Sequence, residues 1–251
     1  MSTALVTGAT AGIGAAFADA LAAEGYQLVL VARNAERLAT VAAELADRYR
    51  IEAVPLPADL ATPEGCALVE KRLAEPVDLL VNNAGMGLAQ PFLKCAPEDL
   101  DRLLALNVGA VQRLTRAVLP GMVERRSGDV INVSSVAGFV PMPRSTYAAS
   151  KSWVTNFSES VGLAMRRYGV RVMALCPGYT RTELHQRAGI DTDVVPGRIW
   201  LSAPDVVRVG LRDLRRGKLI SVPDWRYKTA VLASRYAPRG VVYRALRGRV
   251  R

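Results

Sequence analysis

An α/β fold with a doubly wound parallel sheet is predicted by two patterns in this chain of 251 residues. Short, β-rich apolar runs alternate with longer amphipathic stretches, which is the pattern of repeated βαβ units. Most of the short runs are apolar at successive positions, as in parallel strands that helices cover on both faces. We see neither an internal repeat nor a long linker, and therefore expect one domain over residues 1–251.

The predicted elements follow one another in the order of a Rossmann-type domain, with helices on both faces of the sheet. Seven short apolar runs predict strands at Ala4–Thr7, Gln27–Ala32, Glu52–Pro55, Leu79–Asn82, Asp129–Ser134, Arg171–Cys176 and Leu219–Val222. The amphipathic stretches predict helices at Ile13–Glu24, Ala35–Tyr49, Pro63–Leu73, Glu98–Arg125, Tyr147–Tyr168 and Pro204–Arg216. The patterns give no prediction for the packing of the segment after Val222.

Composition argues against several classes of protein. No apolar run approaches the ~18 residues of a membrane-spanning helix, and the apolar start of the chain lacks the positive charge that precedes a signal peptide. The single histidine, His185, leaves no histidine-based zinc site and makes a Ser-His-Asp relay improbable. Three scattered cysteines without CxxC spacing are typical of a reducing compartment, so we expect a cytoplasmic protein without a metal site.

Positive charge is concentrated at the C-terminal end of the chain. The net charge is +10, and residues 225–251 contain eight basic residues and no acidic one. One hypothesis places Arg235–Arg251 on an anionic membrane or near an acidic partner. Its apolar side would consist of Val241, Val242, Leu246 and Val250. The alternative is a solvated or subunit-packed segment, because Pro238 and Gly240 would interrupt a helix; no nucleic-acid site is predicted.

A glycine-rich turn lies between the first predicted strand and the first predicted helix. In this position glycines let the backbone approach a pyrophosphate, and the start of the helix offers unpaired N–H groups. The residues expected to bind a dinucleotide here are Gly8, Thr10, Gly12, Ile13 and Gly14. The alternative is a tight turn that needs glycine for packing alone.

The ends of the next two strands predict which cofactor binds. NAD sites usually place an acid after the second strand for the ribose 2′-hydroxyl, whereas Arg33 stands there in this chain. An arginine can bind a 2′-phosphate, so we expect NADP(H) to be preferred over NAD(H), with a solvated arginine as the alternative. Asp59 and Leu60, after the third strand, are expected to flank the adenine; the alternative is a helix cap.

Tyr147 and Lys151 are the most informative pair of residues in the sequence. Residues i and i+4 share a helix face, so the ammonium of Lys151 is expected near the phenol of Tyr147. A nearby positive charge lowers a phenol pKa from about 10, which would make Tyr147 a proton donor and acceptor near neutral pH. The alternative is an accidental pair on a solvated helix face.

Six motifs in order resemble those of the short-chain dehydrogenase/reductase family over roughly residues 3–222. They are Thr7-Gly8-xxx-Gly12-Ile13-Gly14, Asn82-Asn83-Ala84-Gly85, Asn107, Ser134-Ser135, Tyr147-xxx-Lys151 and Pro177-Gly178. The resemblance implies a seven-stranded sheet and hydride transfer between nicotinamide C4 and a carbonyl or alcohol carbon. It also implies a homodimer or homotetramer.

The resemblance implies a role for each site residue. Tyr147 would be the general acid in reduction, Lys151 would lower its pKa and bind the nicotinamide ribose, and Asn107 would hold a water that links Lys151 to solvent. The residues implied to line the nicotinamide and its ribose are Asn82, Ala84, Gly85, Pro177, Gly178 and Thr182. From the residues alone, Asn82 and Asn83 could instead tie neighbouring strands together, and Asn107 could kink its helix.

Two neighbouring serines compete for the role of binding the substrate oxygen. Ser134 stands thirteen residues before Tyr147, the usual spacing in the family, whereas Ser135 matches the local Ser-Ser-x-Ala-Gly pattern. A shorter loop between Phe139 and Thr146 is easier to accommodate than a slip of the strand, which would turn every side chain to the opposite face. We therefore predict Ser135 as the catalytic serine.

The predicted function is that of an NADPH-dependent carbonyl reductase, reversible as an alcohol dehydrogenase. Its small-molecule substrate would be bounded by Met86, Phe139–Arg144, Tyr179 and the loop Glu183–Trp200. Two alternatives stay open. One is a 3-oxoacyl reductase that acts on acyl-carrier protein, and the other is a cofactor-binding sensor or scaffold without turnover.

Overall fold

A single seven-stranded parallel sheet forms the centre of the molecule. The computed structural model describes residues 2–88, 90–142, 146–183 and 196–247. The strands are β1 (Thr3–Thr7), β2 (Gln27–Ala32), β3 (Ala53–Pro57), β4 (Leu79–Asn82), β5 (Gly128–Val133), β6 (Val170–Leu175) and β7 (Ile220–Ser221). Their order is β3-β2-β1-β4-β5-β6-β7, and every neighbouring pair is parallel. The predicted doubly wound fold is confirmed.

Helices cover both faces of this sheet. They are α1 (Gly12–Ala23), α2 (Ala35–Tyr49), α3 (Pro63–Leu73), α4 (Pro97–Leu104), α5 (Val111–Glu124), α6 (Thr146–Met165), α7 (Ala203–Arg215), α8 (Trp225–Tyr236) and α9 (Arg239–Arg247). Alternate strand residues, such as Val6 and Leu30, pack with α1, α2 and α7 in one core. The residues between them, such as Leu5 and Val29, pack with α3 and α5 in a second core. Because side chains alternate along a strand, these cores lie on opposite faces.

The predicted helix Glu98–Arg125 is continuous in the structure but contains an irregular turn that was not predicted. After α4 the chain forms a π-helical turn at Ala105–Ala110 before α5 begins. Asn107 lies in this turn and is fully buried. A π turn adds a residue to the helical repeat, which an apolar pattern read at 3.6-residue spacing does not detect.

The segment after Val222 forms two helices, α8 and α9. Pro238 lies between them, but Gly240, which was expected to interrupt a helix, lies inside α9. α8 contains no buried residue and rests on the body through one face. In the part of the chain that the structure describes, every helix is too short or too polar to cross a membrane.

Candidate active site

The carboxyl ends of the parallel strands bring most of the predicted site residues to one edge of the sheet. In chain order these are the turn Gly8–Gly14 after β1, Arg33 after β2, Asp59 after β3, Asn83–Gly85 after β4, Ser135 after β5 and Pro177–Gly178 after β6. β1 and β4 are neighbours although they are not consecutive, so the winding reverses between them. Open α/β sheets bind ligands in the crevice at such a point.

The glycine-rich turn is packed so closely that it requires glycine at several positions. Gly12 has a φ of +56°, in the left-handed region that favours glycine. A Cβ at Gly14 would lie 2.1 Å from the carbonyl oxygen of Gly8, so no larger residue fits. Thr10 and Ile13 are half-buried in the same turn. α1 begins here, and its first N–H groups suit a phosphate.

Thr7 and Asn83, which were not predicted as site residues, fasten this turn to the end of β4. The Thr7 hydroxyl accepts hydrogen bonds from the N–H groups of Asn83 (2.9 Å) and Ala84 (3.0 Å). The Asn83 side chain donates to the carbonyl groups of Thr7 (2.9 Å) and Gly8 (3.3 Å). A polar amide directly after a buried strand was the signal that could have identified Asn83.

Arg33 and Asp59 lie on the same part of the edge. Arg33 is exposed directly after β2. Burial acts to raise the pKa of Asp59, but hydrogen bonds from Arg102 and the Ala61 N–H, with the charges of Arg102 and Arg33, hold that pKa below its usual range. The prediction for Leu60 needs correction, because its side chain is 4% exposed and belongs to the core beneath α3.

Tyr147, Ser135 and Lys151 meet where β5 ends and α6 begins. The Tyr147 side chain is hydrogen-bonded to that of Ser135, and the Lys151 ammonium lies 5.7 Å from the centre of the Tyr147 ring. Lys151 is 4% exposed and donates to the Val133 carbonyl over 2.8 Å. Gly85 lies opposite, since a Cβ there would come within 3.5 Å of the ammonium.

The pKa values of these groups correct one expectation. Burial raises the pKa of Tyr147 to about 12, although the hydrogen bond with Ser135 acts to lower it. Burial lowers the pKa of Lys151 to about 8. The expected lowering of the tyrosine pKa by the lysine is therefore wrong for this structure, because desolvation of the phenol outweighs the hydrogen bond with Ser135.

The two candidate serines have different partners. Ser134 is 2% exposed, donates to the Lys151 carbonyl over 2.7 Å, and lies 2.7 Å from the Thr155 hydroxyl. It thereby ties β5 to α6 inside the protein. Ser135 is half-buried and is the serine that contacts Tyr147.

Asn107 links the π-helical turn to the start of α6. Its side-chain oxygen accepts from the Met86 N–H (2.9 Å), and its amide donates to the Met86 carbonyl (2.9 Å) and the Ser150 hydroxyl (3.1 Å). Ser150 in turn donates to the Tyr147 carbonyl over 2.7 Å. The buried amide therefore connects the loop after β4 with the turn that carries the tyrosine and the lysine.

The side chain of Asn82 points into the protein rather than into the crevice. It donates to Asn132 (2.9 Å) and to Thr115 (3.1 Å), and Asn132 donates to Ser158 (3.0 Å). This corresponds to the alternative in which Asn82 ties strands together. Its side-chain oxygen is buried without a hydrogen-bond partner among the described residues, and the expectation that Asn82 lines the cofactor stays a prediction.

The loop after β6 is held in place by α8, a contact that the sequence did not predict. A Cβ at Gly178 would lie 2.1 Å from the ring of Tyr227, so the glycine makes room for this ring. The Tyr227 hydroxyl accepts from the Tyr179 N–H (3.0 Å) and donates to the Ile199 carbonyl (2.8 Å). Pro177 is buried at the start of the loop.

The same loop reaches across to the glycine-rich turn. A Cβ at Gly12 would come within 2.7 Å of the Thr182 methyl group. The next residue, Glu183, accepts two hydrogen bonds from Arg37 of α2, at 2.6 and 3.1 Å. Thr182 therefore lies against the glycine-rich turn, on the phosphate side of the crevice.

Part of the predicted substrate wall is visible beside this loop. The rings of Tyr179 and Trp200 meet edge to face with centres 5.7 Å apart, and the Arg181 guanidinium lies 5.8 Å from the Trp200 ring. Met86 is half-buried and Met142 is 39% exposed. The predicted wall residues Pro143, Arg144, His185 and the rest of 184–195 lie outside the described residues.

These groups together can hold a dinucleotide and transfer a proton beside it. Within the described ranges no three His, Cys, Asp or Glu side chains are placed to bind a metal ion. A pyrophosphate would fit the glycine-rich turn, where side chains are excluded. A carbonyl oxygen placed between the hydroxyl groups of Tyr147 and Ser135 would receive two hydrogen bonds.

Comparisons with known proteins agree with this geometry. A model of the family described as short chain dehydrogenase matches residues 2–193. The human very-long-chain 3-oxoacyl-CoA reductase is 31% identical over 244 residues, covering 91% of this chain and 78% of that protein. A short-chain dehydrogenase from Sphingobium yanoikuyae, solved in complex with NADPH, is 35% identical with a TM-score of 0.87, covering 100% and 97% of the two chains. The bulky-bulky ketone specific alcohol dehydrogenase from Comamonas testosteroni is 31% identical with a TM-score of 0.82, covering 94% and 92%.

Proposed function

This chain belongs to the short-chain dehydrogenase/reductase family and is an oxidoreductase of alcohol and carbonyl groups, and from that premise we propose that it reduces a carbonyl substrate with NADPH. The observation that carries the proposal is the contact between the Tyr147 and Ser135 side chains beside the buried Lys151 ammonium. A proton donor, a second hydroxyl and a cation meet there at the carboxyl edge of the sheet.

The proposed division of roles follows from these contacts. NADPH, when bound, would supply the hydride. Tyr147 would give its proton to the substrate oxygen, and Ser135 would donate a hydrogen bond to the same atom. Lys151 would bind the nicotinamide ribose, and Asn107 would keep the start of α6 in place through Ser150 and supply the water contact implied by the family resemblance.

The protonation state of Tyr147 suits reduction. With a pKa of about 12, its phenol keeps its proton at neutral pH and can act as the acid. Lys151, with a pKa of about 8, is mostly charged at pH 7. The reverse reaction needs phenolate, so we expect alcohol oxidation to be favoured at high pH.

The residues that would hold the cofactor fit its shape. Gly8, Gly12 and Gly14 keep the turn compact, because a Cβ at each would meet Asn83, Thr182 or the Gly8 carbonyl, and the N–H groups of this turn would bind the pyrophosphate. Gly85 would face the ribose beside Lys151. The other proposed contacts are Thr10, Ile13, Asp59, the backbone of Leu60, Asn82 and Ala84, and Pro177, Gly178 and Thr182.

A preference for NADP(H) over NAD(H) is part of the proposal and rests on Arg33. This arginine is exposed at the end of β2, where an acid would repel a 2′-phosphate and bind a 2′-hydroxyl. The Sphingobium relative was solved with NADPH. The Asp59 carboxylate accepts a hydrogen bond from Arg102. We therefore assign the role of binding the 2′-phosphate to the guanidinium of Arg33, directly after β2.

A 3-oxoacyl substrate is the second candidate within the same reaction. It is favoured by the human relative, a very-long-chain 3-oxoacyl-CoA reductase. The sensor or scaffold alternative is less favoured, because Asn107, Ser135, Tyr147 and Lys151 are all present. Ser135 contacts Tyr147, and Asn107 is connected to the tyrosine turn through Ser150. We further propose a cytoplasmic homodimer or homotetramer with one domain over residues 1–251, and a peripheral membrane contact through residues 225–251.

Titration of NADPH against NADH, followed by NADPH oxidation over a panel of ketones and 3-oxoacyl thioesters, tests the proposal. We expect NADPH to bind more tightly, and Arg33→Ala to weaken NADPH about tenfold while NADH is little changed. Arg48→Ala, an exposed arginine at the other end of α2, is the matched control. Tight NADPH binding without turnover of any substrate would favour the sensor, and equal affinities for the two cofactors would overturn the NADP preference.

A further inference from the structure

α8 presents two different faces. Tyr227, Val231 and Ser234 are half-buried against the body of the protein. On the opposite side, Trp225 is 71% exposed, Leu232 is 58% exposed and Tyr236 is 77% exposed. The spacings of seven and four residues put these three side chains in one row along the helix.

The row of Trp225, Leu232 and Tyr236 is bordered by positive charge. Lys228 and Arg235 are exposed on the same side of α8, seven residues apart. From Trp225 to the end of the chain there are eight basic residues and no acidic one. A second copy of this face would meet it with the same charge, so self-association through α8 is disfavoured.

We propose that the exposed face of α8, formed by Trp225, Lys228, Leu232, Arg235 and Tyr236, docks on the surface of an anionic lipid bilayer. Tryptophan and tyrosine favour the boundary between lipid headgroups and acyl chains, where an apolar ring and a polar group are both accommodated. Leucine adds apolar contact at the same depth. Lysine and arginine beside them attract anionic headgroups, an attraction of about 1 kcal/mol, or about fivefold in affinity, for each basic residue.

The docked helix would bring the active site close to the lipid. The face of α8 opposite the exposed row carries Tyr227, whose hydroxyl binds Tyr179 and Ile199 in the walls of the site. One helix diameter, about 10 Å, therefore separates the loop after β6 from the bilayer surface. This placement points to substrates that partition into lipid, such as ketones or 3-oxoacyl thioesters with long alkyl chains. That step rests on the proposed carbonyl reductase function.

The docking is tested by co-sedimentation of the full-length protein with vesicles of phosphatidylcholine alone and of phosphatidylcholine mixed with phosphatidylglycerol. We expect binding to the mixed vesicles only. Lys228→Gln with Arg235→Gln should weaken it by more than tenfold, and Leu232→Ser by about tenfold. The matched controls are Lys71→Gln with Arg116→Gln, exposed on α3 and α5, and Leu163→Ser, which is 59% exposed on α6.

The outcomes separate docking from catalysis. The α8 variants should keep wild-type turnover of a small water-soluble ketone and lose turnover of a long-chain ketone presented in mixed vesicles. Failure of the wild type to sediment with mixed vesicles would overturn the docking, whatever the turnover. Equal loss of binding in the control variants, or a dimer that Leu232→Ser converts to a monomer without vesicle binding, would overturn it too. Absence of turnover with intact docking would overturn only the proposed function.

Discussion

The polar cluster at the end of β5 and the surface of α8 lie on two sides of the same loop, and they are built in opposite ways. Asn107, Ser134 and Lys151 are 0%, 2% and 4% exposed, and each has hydrogen-bond partners on another element. α8 has no buried residue and exposes 71% of Trp225 and 77% of Tyr236.

The difference shows that the side chains of the two regions are constrained in different ways. In the buried cluster, removing one partner leaves a desolvated polar group, at a cost of about 1–3 kcal/mol. The exposed aromatic side chains of α8 bury little apolar surface when the protein folds. A larger burial of these side chains would need a contact outside the body of the protein. Variants of the cluster should therefore change catalysis or stability, and variants of the exposed row should change neither stability nor the turnover of a small water-soluble substrate.

Tyr147→Phe is expected to have the largest effect. It removes the only proposed proton donor while leaving the ring, so kcat should fall by about 10²–10⁴-fold and NADPH affinity should be little changed. Stopped-flow oxidation of NADPH and a cofactor titration measure the two quantities. Tyr236→Phe on the exposed row is the control and should retain full activity. A kcat within tenfold of wild type would remove Tyr147 from the role of proton donor.

Ser135→Ala and Ser134→Ala form a matched pair with the next largest effect. Ser135→Ala should lower kcat about 10²-fold, because a hydrogen bond to the substrate oxygen is lost. Ser134→Ala should leave kcat near wild type and lower the free energy of unfolding by about 0.5–1.5 kcal/mol, since the Lys151 carbonyl loses one of two side-chain hydrogen bonds and keeps that of Thr155. Steady-state kinetics and urea unfolding distinguish them. The reverse result would make Ser134 the catalytic serine, as the thirteen-residue spacing suggested.

Sequence patterns predicted the strands of the sheet and the residues at its carboxyl edge, because both are determined by residues that are close together in sequence. The buried strands and the glycine-rich turn are of this kind. The partners of Asn82 and Ser134 were harder to predict, since they depend on which way a side chain turns across elements that are distant in sequence. The contact of Tyr227 with Gly178 gave no sequence signal at all, because nothing in the composition of α8 indicates where it packs.

Lys151 gives the buried cluster a pH dependence. Its pKa is about 8 in the folded protein and near its ordinary value of 10.5 when unfolded, so the unfolded chain binds more protons above pH 8. The lowered pKa therefore makes stability rise with pH in this range. From pH 8 to pH 9 the wild type should gain up to about 1 kcal/mol relative to Lys151→Met, as measured by urea unfolding.

Cys176 acts in the other direction above pH 9, and because it is present in both proteins the comparison with Lys151→Met isolates the lysine. Burial raises the pKa of Cys176 to about 12 from an ordinary value of 9.0, so its contribution to stability is lost as pH rises through that range. Lys71→Met, at an exposed lysine, is the control and should follow the wild type. Parallel pH profiles for the wild type and Lys151→Met would show that the buried lysine does not titrate as described.

Tyr227→Phe, with the smallest expected effect, tests the point at which the two regions meet. The change keeps the ring against Gly178 and removes the hydroxyl that joins Tyr179 to Ile199. A half-buried hydroxyl of this kind contributes about 0.5–1.5 kcal/mol, so the free energy of unfolding should fall by that amount. Because Tyr179 lies in the expected substrate wall, KM for the carbonyl substrate should rise severalfold while kcat stays near wild type. Tyr243→Phe, an exposed tyrosine on α9, serves as the control and should alter neither quantity. An unchanged KM in Tyr227→Phe would mean that α8 contacts the site without affecting how the substrate binds. Lipid docking would then affect turnover only by bringing the site close to the bilayer.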